Sequence, residues 1–176
     1  KNPLLLNGYF NFSPINYNIS ALAKNFNLDF LGLDKNIKEA GGIADIDIVF
    51  SPEQTVGTVL LNNFNYKTKD GITLVDNVNA DISVDNRKLN VNRLDGGYNG
   101  GTFTVDGNLD VPVIPEDFMR TKRLELGKFE LNTSLNSVKV RYGEDIDAVL
   151  TGDIVFTENH LFGNITAESG EIRAIP

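Results

Sequence analysis

The sequence contains no cysteine and no tryptophan, and it has one histidine and one methionine among its 176 residues. Without a thiol, the chain cannot form a disulfide framework, a thiol nucleophile or a zinc–thiolate site. Basic residues are also scarce, because 16 Lys and Arg stand against 24 Asp and Glu, giving a net charge of -8. Nucleic-acid binding needs a basic face, so this balance argues against a nucleic-acid partner.

Long apolar runs are absent too, and none approaches the ~18 residues of a transmembrane helix. No signal peptide opens the chain, which starts at Lys1 and stops at Pro176 directly after a strand-like segment. The length corresponds to about one domain. We therefore expect residues 1–176 to be a single β-rich domain, cut from a longer chain.

What the sequence does contain is apolar and polar residues that alternate with period two, the pattern of a sheet with one buried face. It is clear where the acidic Asp47 stands between Ile46 and Ile48. About twelve such segments, including weak ones at Phe26–Leu33 and Ile72–Val75, predict an all-β fold of mostly antiparallel strands. Helical periodicity is almost absent. Two short segments fit a single helical turn and a loop equally well: Asp34–Ala40 and Pro115–Arg123.

Turn residues separate the alternating segments. Hairpin connections are predicted at Asp70-Gly71, Asp76-Asn77, Asp85-Asn86, Gly96-Gly97, Tyr142-Gly143-Glu144 and Glu158-Asn159. The glycine-rich residues 96–101 are interpreted as a bulged crossover. No shift in composition or charge marks a domain boundary.

A weak repeat, apolar–x–Gly–x–apolar–x–apolar, occurs around Gly8, Gly107, Gly152 and Gly163. In each copy the glycine occupies an inward position between apolar neighbours. A glycine there weakens a strand, but it allows a bend, a bulge or the close approach of another group.

Residues suited to catalysis or metal binding are not found in a convincing arrangement. His160 follows a predicted turn, where an exposed histidine is expected, and no Gly-x-Ser-x-Gly elbow exists. Carboxylate pairs such as Asp45 and Asp47 lie on faces that alternate with the core. The calcium-loop-like start at Asp106 has Val111 where the loop requires glycine. We expect no enzyme activity, catalytic residue, metal or cofactor.

The C-terminal half carries a family resemblance. Residues Asn136–Phe156 form a charged alternating segment, a turn and a glycine-centred segment, and Leu161–Ile172 add a second one ending in Gly-x-Ile. Residues Leu94–Leu109 contain another copy of this sequence pattern. Together they make Val78–Pro176 resemble the TamB family of translocation and assembly module proteins, which is related to AsmA.

The resemblance implies a fold, a location and partners. The fold would be a curved, trough-like sheet with an apolar inner face, often called a β-taco. The location would be the periplasm of a diderm bacterium, as part of an inner-membrane-anchored protein. The partners would be an outer-membrane barrel protein of TamA type, together with phospholipid acyl chains or nascent outer-membrane β-strands. The implied roles are phospholipid transfer to the outer membrane and the assembly of proteins, including autotransporters, into it.

The groove would be lined by the inward apolar residues, whose role is to present a hydrophobic surface. They are Ile46, Ile48, Phe50, Val78, Ile82, Val84, Phe103, Val105, Leu109, Val138, Val140, Leu150, Ile154, Phe156 and Ile165. The alternative is a closed β-sandwich or a β-solenoid, acting as an extracellular binding module of an adhesin. In that case the same residues form an ordinary core, and ligands bind outer positions such as Tyr98 with Asn99.

Overall fold

The computed structural model describes residues 2–30, 36–86, 88–110, 127–142 and 146–172. These residues form ten β-strands in one open, antiparallel sheet, in which the strands lie side by side in chain order. The strands are β1 Leu5–Phe12, β2 Ile15–Asn27, β3 Ile37–Phe50, β4 Thr55–Thr68, β5 Leu74–Asp85, β6 Lys88–Tyr98, β7 Gly101–Asp110, β8 Phe129–Tyr142, β9 Ile146–Thr157 and β10 Leu161–Ile172. Within the described residues, β1 and β10 each pair with a single neighbour.

The predicted all-β, antiparallel fold is confirmed. The expected number of about twelve strands is not confirmed, and neither is the alternative of a closed β-sandwich. The described residues form one sheet rather than two facing sheets. Strand β3 begins at Ile37, so the prediction of a helical turn at Asp34–Ala40 is wrong from that residue onward. The other helical candidate, Pro115–Arg123, lies outside the described residues. Over the ranges that the structure covers, no helix is long and apolar enough to span a membrane.

The regular pairing of the strands is interrupted by β-bulges. Shifts of register fall between Ala23/Phe26, Leu61/Phe64, Asp76/Asn79, Leu135/Val138 and Ala167/Ser169. Successive bulges lie side by side, since Ala44 pairs with both Phe26 and Leu61, and Leu61 pairs with Ala80. The irregular positions of β2 to β5 therefore form a row, and those of β8 to β10 continue it beyond the regular pairing of β7 with β8; we call these positions together the bulge row.

Asparagine occupies three positions of the bulge row that have a left-handed backbone, and serine occupies a fourth. Asn25, Asn63 and Asn77 have φ values of 49°, 51° and 50°, and Ser137 has a φ of 52°. Asparagine adopts this left-handed conformation more readily than most residues. Asn77 thus lies inside β5, and the turn predicted at Asp76-Asn77 is wrong because the left-handed asparagine bulges the strand without ending it.

A tight hairpin joins β6 and β7. Tyr98 pairs with Gly101, and the two residues between them, Asn99 and Gly100, have φ values of 47° and 89°. Positive φ at both central residues is the signature of a type I′ turn, for which Asn-Gly is the favoured sequence. The turn predicted at Gly96-Gly97 and the bulged crossover are both wrong, because the chain reverses two residues later.

The other predicted turns have mixed outcomes. Asp70-Gly71, Asp85-Asn86 and Glu158-Asn159 lie at the connections between consecutive strands, as predicted. In the remaining one, Gly143 and Glu144 lie outside the described residues.

Candidate apolar binding face

The pairing register places an alternating set of apolar residues from all ten strands on one side of the sheet. Residues that face each other on antiparallel neighbours project to the same side. One such row runs from β3 to β7 through Ile48, Gly57, Val84, Leu89 and Leu109. Following the register and the alternation in this way places every predicted lining residue on this side, which we call the apolar face.

The exposure of the apolar face is low to intermediate on the internal strands and high on the edge strands β1 and β10. Val138 and Ile154 are 4% and 7% exposed, and Val78 and Val84 are buried as well. Ile165, in the edge strand β10, is 49% exposed. The other predicted lining residues are half-buried. The face is therefore partly shielded from water on the internal strands and open to water on the edge strands.

An aromatic stack on the apolar face was not predicted from the sequence. The ring of Tyr17, which is 1% exposed, stacks on Phe10 and Phe50 with centroid distances of 5.6 and 5.0 Å. The ring of Phe12 contacts that of Phe10 in a tilted orientation, with a centroid distance of 4.8 Å. The alternation of Ile15, Tyr17 and Ile19 with asparagine is the sequence signal that could have found it.

Glycines interrupt the apolar face where strands approach closely. Gly107 and Gly152 have φ values of 139° and 157°. A Cβ on Gly152 would lie 2.0 Å from the carbonyl oxygen of Asn164, and one on Gly107 would lie 2.1 Å from that of Glu130. Gly8 and Gly163 share this conformation, so of the possibilities left open for the repeat glycines (a bend, a bulge or a close approach), the close approach is found at all four copies.

The opposite side of the sheet is mainly polar, and some of its charges form local ion pairs. Asp147 lies 3.1 Å from the Arg141 guanidinium and 3.4 Å from the Lys139 ammonium. The hydrogen bond from Arg141 lowers the pKa of Asp147, and Lys139 lowers it further. In the second ion pair, Asp95 accepts a hydrogen bond from Arg93, and this bond together with the negative charge of Asp95 raises the pKa of Arg93.

Carboxylates on this side also support the backbone. Asp45 Oδ1 accepts a hydrogen bond from the backbone N–H of Asn25 in the bulge row, at 2.5 Å. His160 is exposed, as predicted. The ranges covered by the structure hold no group of three or more His, Asp and Glu that could bind a metal ion.

Asn99, the outer residue named for the adhesin alternative, is engaged inside the fold. Its Oδ1 accepts a hydrogen bond from the Leu74 N–H at 2.7 Å. Its Nδ2 donates to the carbonyl oxygens of Ile72 and Lys139, at 3.0 and 3.2 Å. Because its side chain joins three segments, Asn99 is a structural clamp, and this argues against a ligand-binding role.

The site is thus an extended apolar surface with no concentration of polar or ionisable groups on it. Such a surface can bury hydrocarbon chains or the apolar face of a β-strand. Protein-family models, curated proteins and solved structures were compared with the chain, and none of them matches it.

Proposed function

We propose that the chain is a non-enzymatic, periplasmic segment of a TamB-type protein anchored in the inner membrane, and that its apolar face receives phospholipid acyl chains on their way to the outer membrane. The observation that carries this proposal is the continuity of the apolar face over ten strands, among which each strand contacts chiefly its sequence neighbours. A sheet needs its apolar side covered. A phospholipid acyl chain is apolar as well, so it can cover this side of the sheet.

The burial pattern and the bulge row support a trough. In a flat single layer, the outer part of each side chain stays in water, whereas Val138 and Ile154 are 4% and 7% exposed. Curling of the sheet toward its apolar side accounts for this burial. A bulge bends its strand and increases the local twist, so a row of bulges favours such a bend.

The dimensions and energies suit a lipid chain. The ten strands have nine spacings of about 4.8 Å and so give about 43 Å of apolar face. One acyl chain spans about half of the ~30 Å hydrocarbon core of a bilayer. Covering it lowers the free energy of moving it through water by about 0.8 kcal/mol per buried CH2.

Native mass spectrometry of the 176-residue chain, purified without detergent, tests this proposal. We expect adducts at phospholipid mass, whose identity is established by solvent extraction and lipid analysis. A clean apo mass together with cooperative unfolding would mean that the apolar face covers itself, and would overturn the lipid proposal.

A matched pair of variants localises the lipid. Ile165 is 49% exposed on the apolar face, and its neighbour Asn164 is exposed on the polar side of the same strand. We expect Ile165→Arg to reduce the phospholipid adduct at least severalfold, and Asn164→Arg to leave it unchanged. Equal losses in the two variants would contradict binding at the apolar face.

Ile154 is a poorer position for this test. It is 7% exposed, and an unpaired buried charge costs several kcal/mol. We expect Ile154→Arg to unfold the sheet whether or not lipid binds there. A thermal melt monitored by circular dichroism checks this, and a native-like melting temperature would show that the side chain reaches water.

A second role, the assembly of outer-membrane β-strands together with a TamA-type barrel protein, is favoured by the free edges of β1 and β10 in the described sheet. An extended strand can add to such an edge through backbone hydrogen bonds. Photo-crosslinking from β10 to a purified barrel partner distinguishes this role from lipid binding, because crosslinks would form in the absence of lipid.

A further inference from the structure

A cleft of about 380 Å³ lies at one end of the sheet, below the hairpin that joins β6 and β7. This hairpin reverses at Asn99 and Gly100. On one side of it, β8 continues to Tyr142, beyond its last pairing with β7 at Asn136. On the other side lies the β4–β5 connection, residues 69–73. The cleft is therefore a gap between strand ends in the interior of the sheet.

The two flanks of the cleft converge below the hairpin. The four strands β5 to β8 span three spacings of about 4.8 Å, and so about 14 Å in a flat sheet. The Nδ2 of Asn99 nevertheless donates to the carbonyl oxygens of both Ile72 and Lys139, at 3.0 and 3.2 Å. Because its Oδ1 accepts from the Leu74 N–H, the Asn99 amide is fully engaged. Asn99 thus forms the floor of the cleft, and the walls are left to contact a ligand.

The two walls differ in chemistry. Ile72 and Leu74 form an apolar wall, and Lys139 and Arg141 form a basic one. Among the described residues that line the cleft, none is acidic. Asp70, the carboxylate of the β4–β5 connection, accepts a hydrogen bond from the Ile72 N–H at 3.0 Å and lies outside the lining. In a chain of net charge -8, such a cleft suits an anionic group that is attached to an apolar one.

The basic wall keeps donors for an anion. Asp147 presents one oxygen, Oδ2, to both Arg141 and Lys139, at 3.1 and 3.4 Å. An ammonium has three donors and a guanidinium has five, so two cations that share one carboxylate oxygen retain most of their N–H groups. Both side chains are about half exposed, at 48% and 47%. The next carboxylate in this direction, Glu171, lies on β10, on the side of β9 away from the cleft.

We propose that this cleft binds the phosphate group of a phospholipid through Lys139 and Arg141, while the acyl chains lie on the apolar face. The inference rests on the proposed function and names the part of the lipid that the cleft holds. Guanidinium and ammonium groups are the usual phosphate ligands of proteins. The apolar face reaches this end of the sheet, because Val75 and Val140 project to it.

The position of the cleft fits a head group. In a trough whose axis crosses the strands, the strand ends form the rims, and the polar end of a lipid lying in the trough emerges there. An acidic peptide that added to β8 as a further strand is disfavoured. Such a strand needs the backbone groups of β8 that face the cleft, and the Lys139 carbonyl oxygen is already bonded to Asn99.

Nuclear magnetic resonance of the isotope-labelled 176-residue chain tests the proposal. The probe is dihexanoyl phosphatidylglycerol, kept below its critical micelle concentration. We expect it to shift the backbone amide signals of Ile72, Gly100 and Arg141 with a saturable dependence on concentration. The double variant Lys139→Gln/Arg141→Gln should weaken this binding at least tenfold.

Two further variants control the experiment. Arg93→Gln removes a basic side chain that is also paired with a carboxylate, Asp95, away from the cleft, and it should leave the affinity unchanged. Lys139→Gln alone keeps the pair of Arg141 with Asp147 and serves if the double variant folds poorly. It should weaken binding at least threefold. Equal weakening by Arg93→Gln would show a general charge effect and would overturn the proposal.

The remaining outcomes separate this inference from the proposed function. If the double variant binds phosphatidylglycerol as tightly as the wild type does, the lipid proposal stands and the head-group site is wrong. If the wild type binds no phosphatidylglycerol, while glycerol phosphate shifts the same amides, the cleft takes a free phosphate and both proposals are overturned. Tighter binding of an oligoglutamate peptide than of phosphatidylglycerol would assign the cleft to a protein partner and would also overturn the head-group site.

Discussion

Single residues determine how closely neighbouring strands approach, and Gly152 is the strongest case. Its φ of 157° lies in a region that essentially only glycine occupies, and a Cβ would lie 2.0 Å from the Asn164 carbonyl oxygen. We expect Gly152→Ala to lower the free energy of unfolding by about 2–4 kcal/mol, because the strands must separate to admit the methyl group. Urea denaturation measures the loss.

Gly71 provides a matched control for this prediction. It has a φ of 71° in a turn, and a Cβ there would meet nothing within 4 Å. Gly71→Ala should therefore carry the backbone cost alone, about 1 kcal/mol. Equal losses in the two variants would show that the close approach at Gly152 contributes nothing.

At the scale of the strand, reciprocal hydrogen bonds fix the bulge row between β4 and β5. Asn79 Oδ1 accepts from the Asn63 N–H at 3.2 Å, and Asn65 Oδ1 accepts from the Asn77 N–H at 3.1 Å. The amide groups of Asn65 and Asn79 also donate to the carbonyl oxygens of Asn63 and Asn77, at 2.7 and 2.9 Å. Each left-handed residue is thus held from its own strand and from its neighbour.

This arrangement predicts an energetic coupling between the two strands. Asn79→Ala should lower the free energy of unfolding by about 1 kcal/mol, because the Asn63 N–H then donates to water and no longer to the Asn79 side chain. In a double-mutant cycle, Asn79→Ala and Asn65→Ala should couple by at least ~0.5 kcal/mol. Asn18→Ala, in the exposed part of β2, serves as the uncoupled partner. Additive effects of Asn65→Ala and Asn79→Ala would contradict the reciprocal arrangement.

The same bulges explain which strand boundaries could be predicted from the sequence. Alternation predicts the regular strand β7 and the side on which its apolar residues lie. Each bulge shifts the alternation by one residue, so the segments on either side of Asn25 and Asn77 give the impression of separate strands or of a turn. The acceptors that hold these residues lie on neighbouring strands, and alternation along one strand contains no information about them.

The apolar face could be predicted as a set of residues, but its burial could not. Alternation alone places Ile154 and Ile165 on the same side, and the register does the same. Their exposures of 7% and 49% differ because β9 has a neighbour on both sides while β10 has one. Exposure thus depends on the order of the strands in the sheet, which alternation does not contain. Tyr17 was missed for the same reason, since its burial comes from rings on β1 and β3.

At the scale of the whole molecule, the strands lie in chain order, and each contacts mainly the strands before and after it in the sequence. Stability in such an arrangement is approximately a sum of nearest-neighbour terms, so the sheet should open from its free edges. In hydrogen exchange monitored by mass spectrometry, we expect peptides covering the central strand β5 to exchange slowest. Peptides covering the edge strand β10 should exchange fast. A uniform rate across the strands would instead indicate that the sheet opens as one unit.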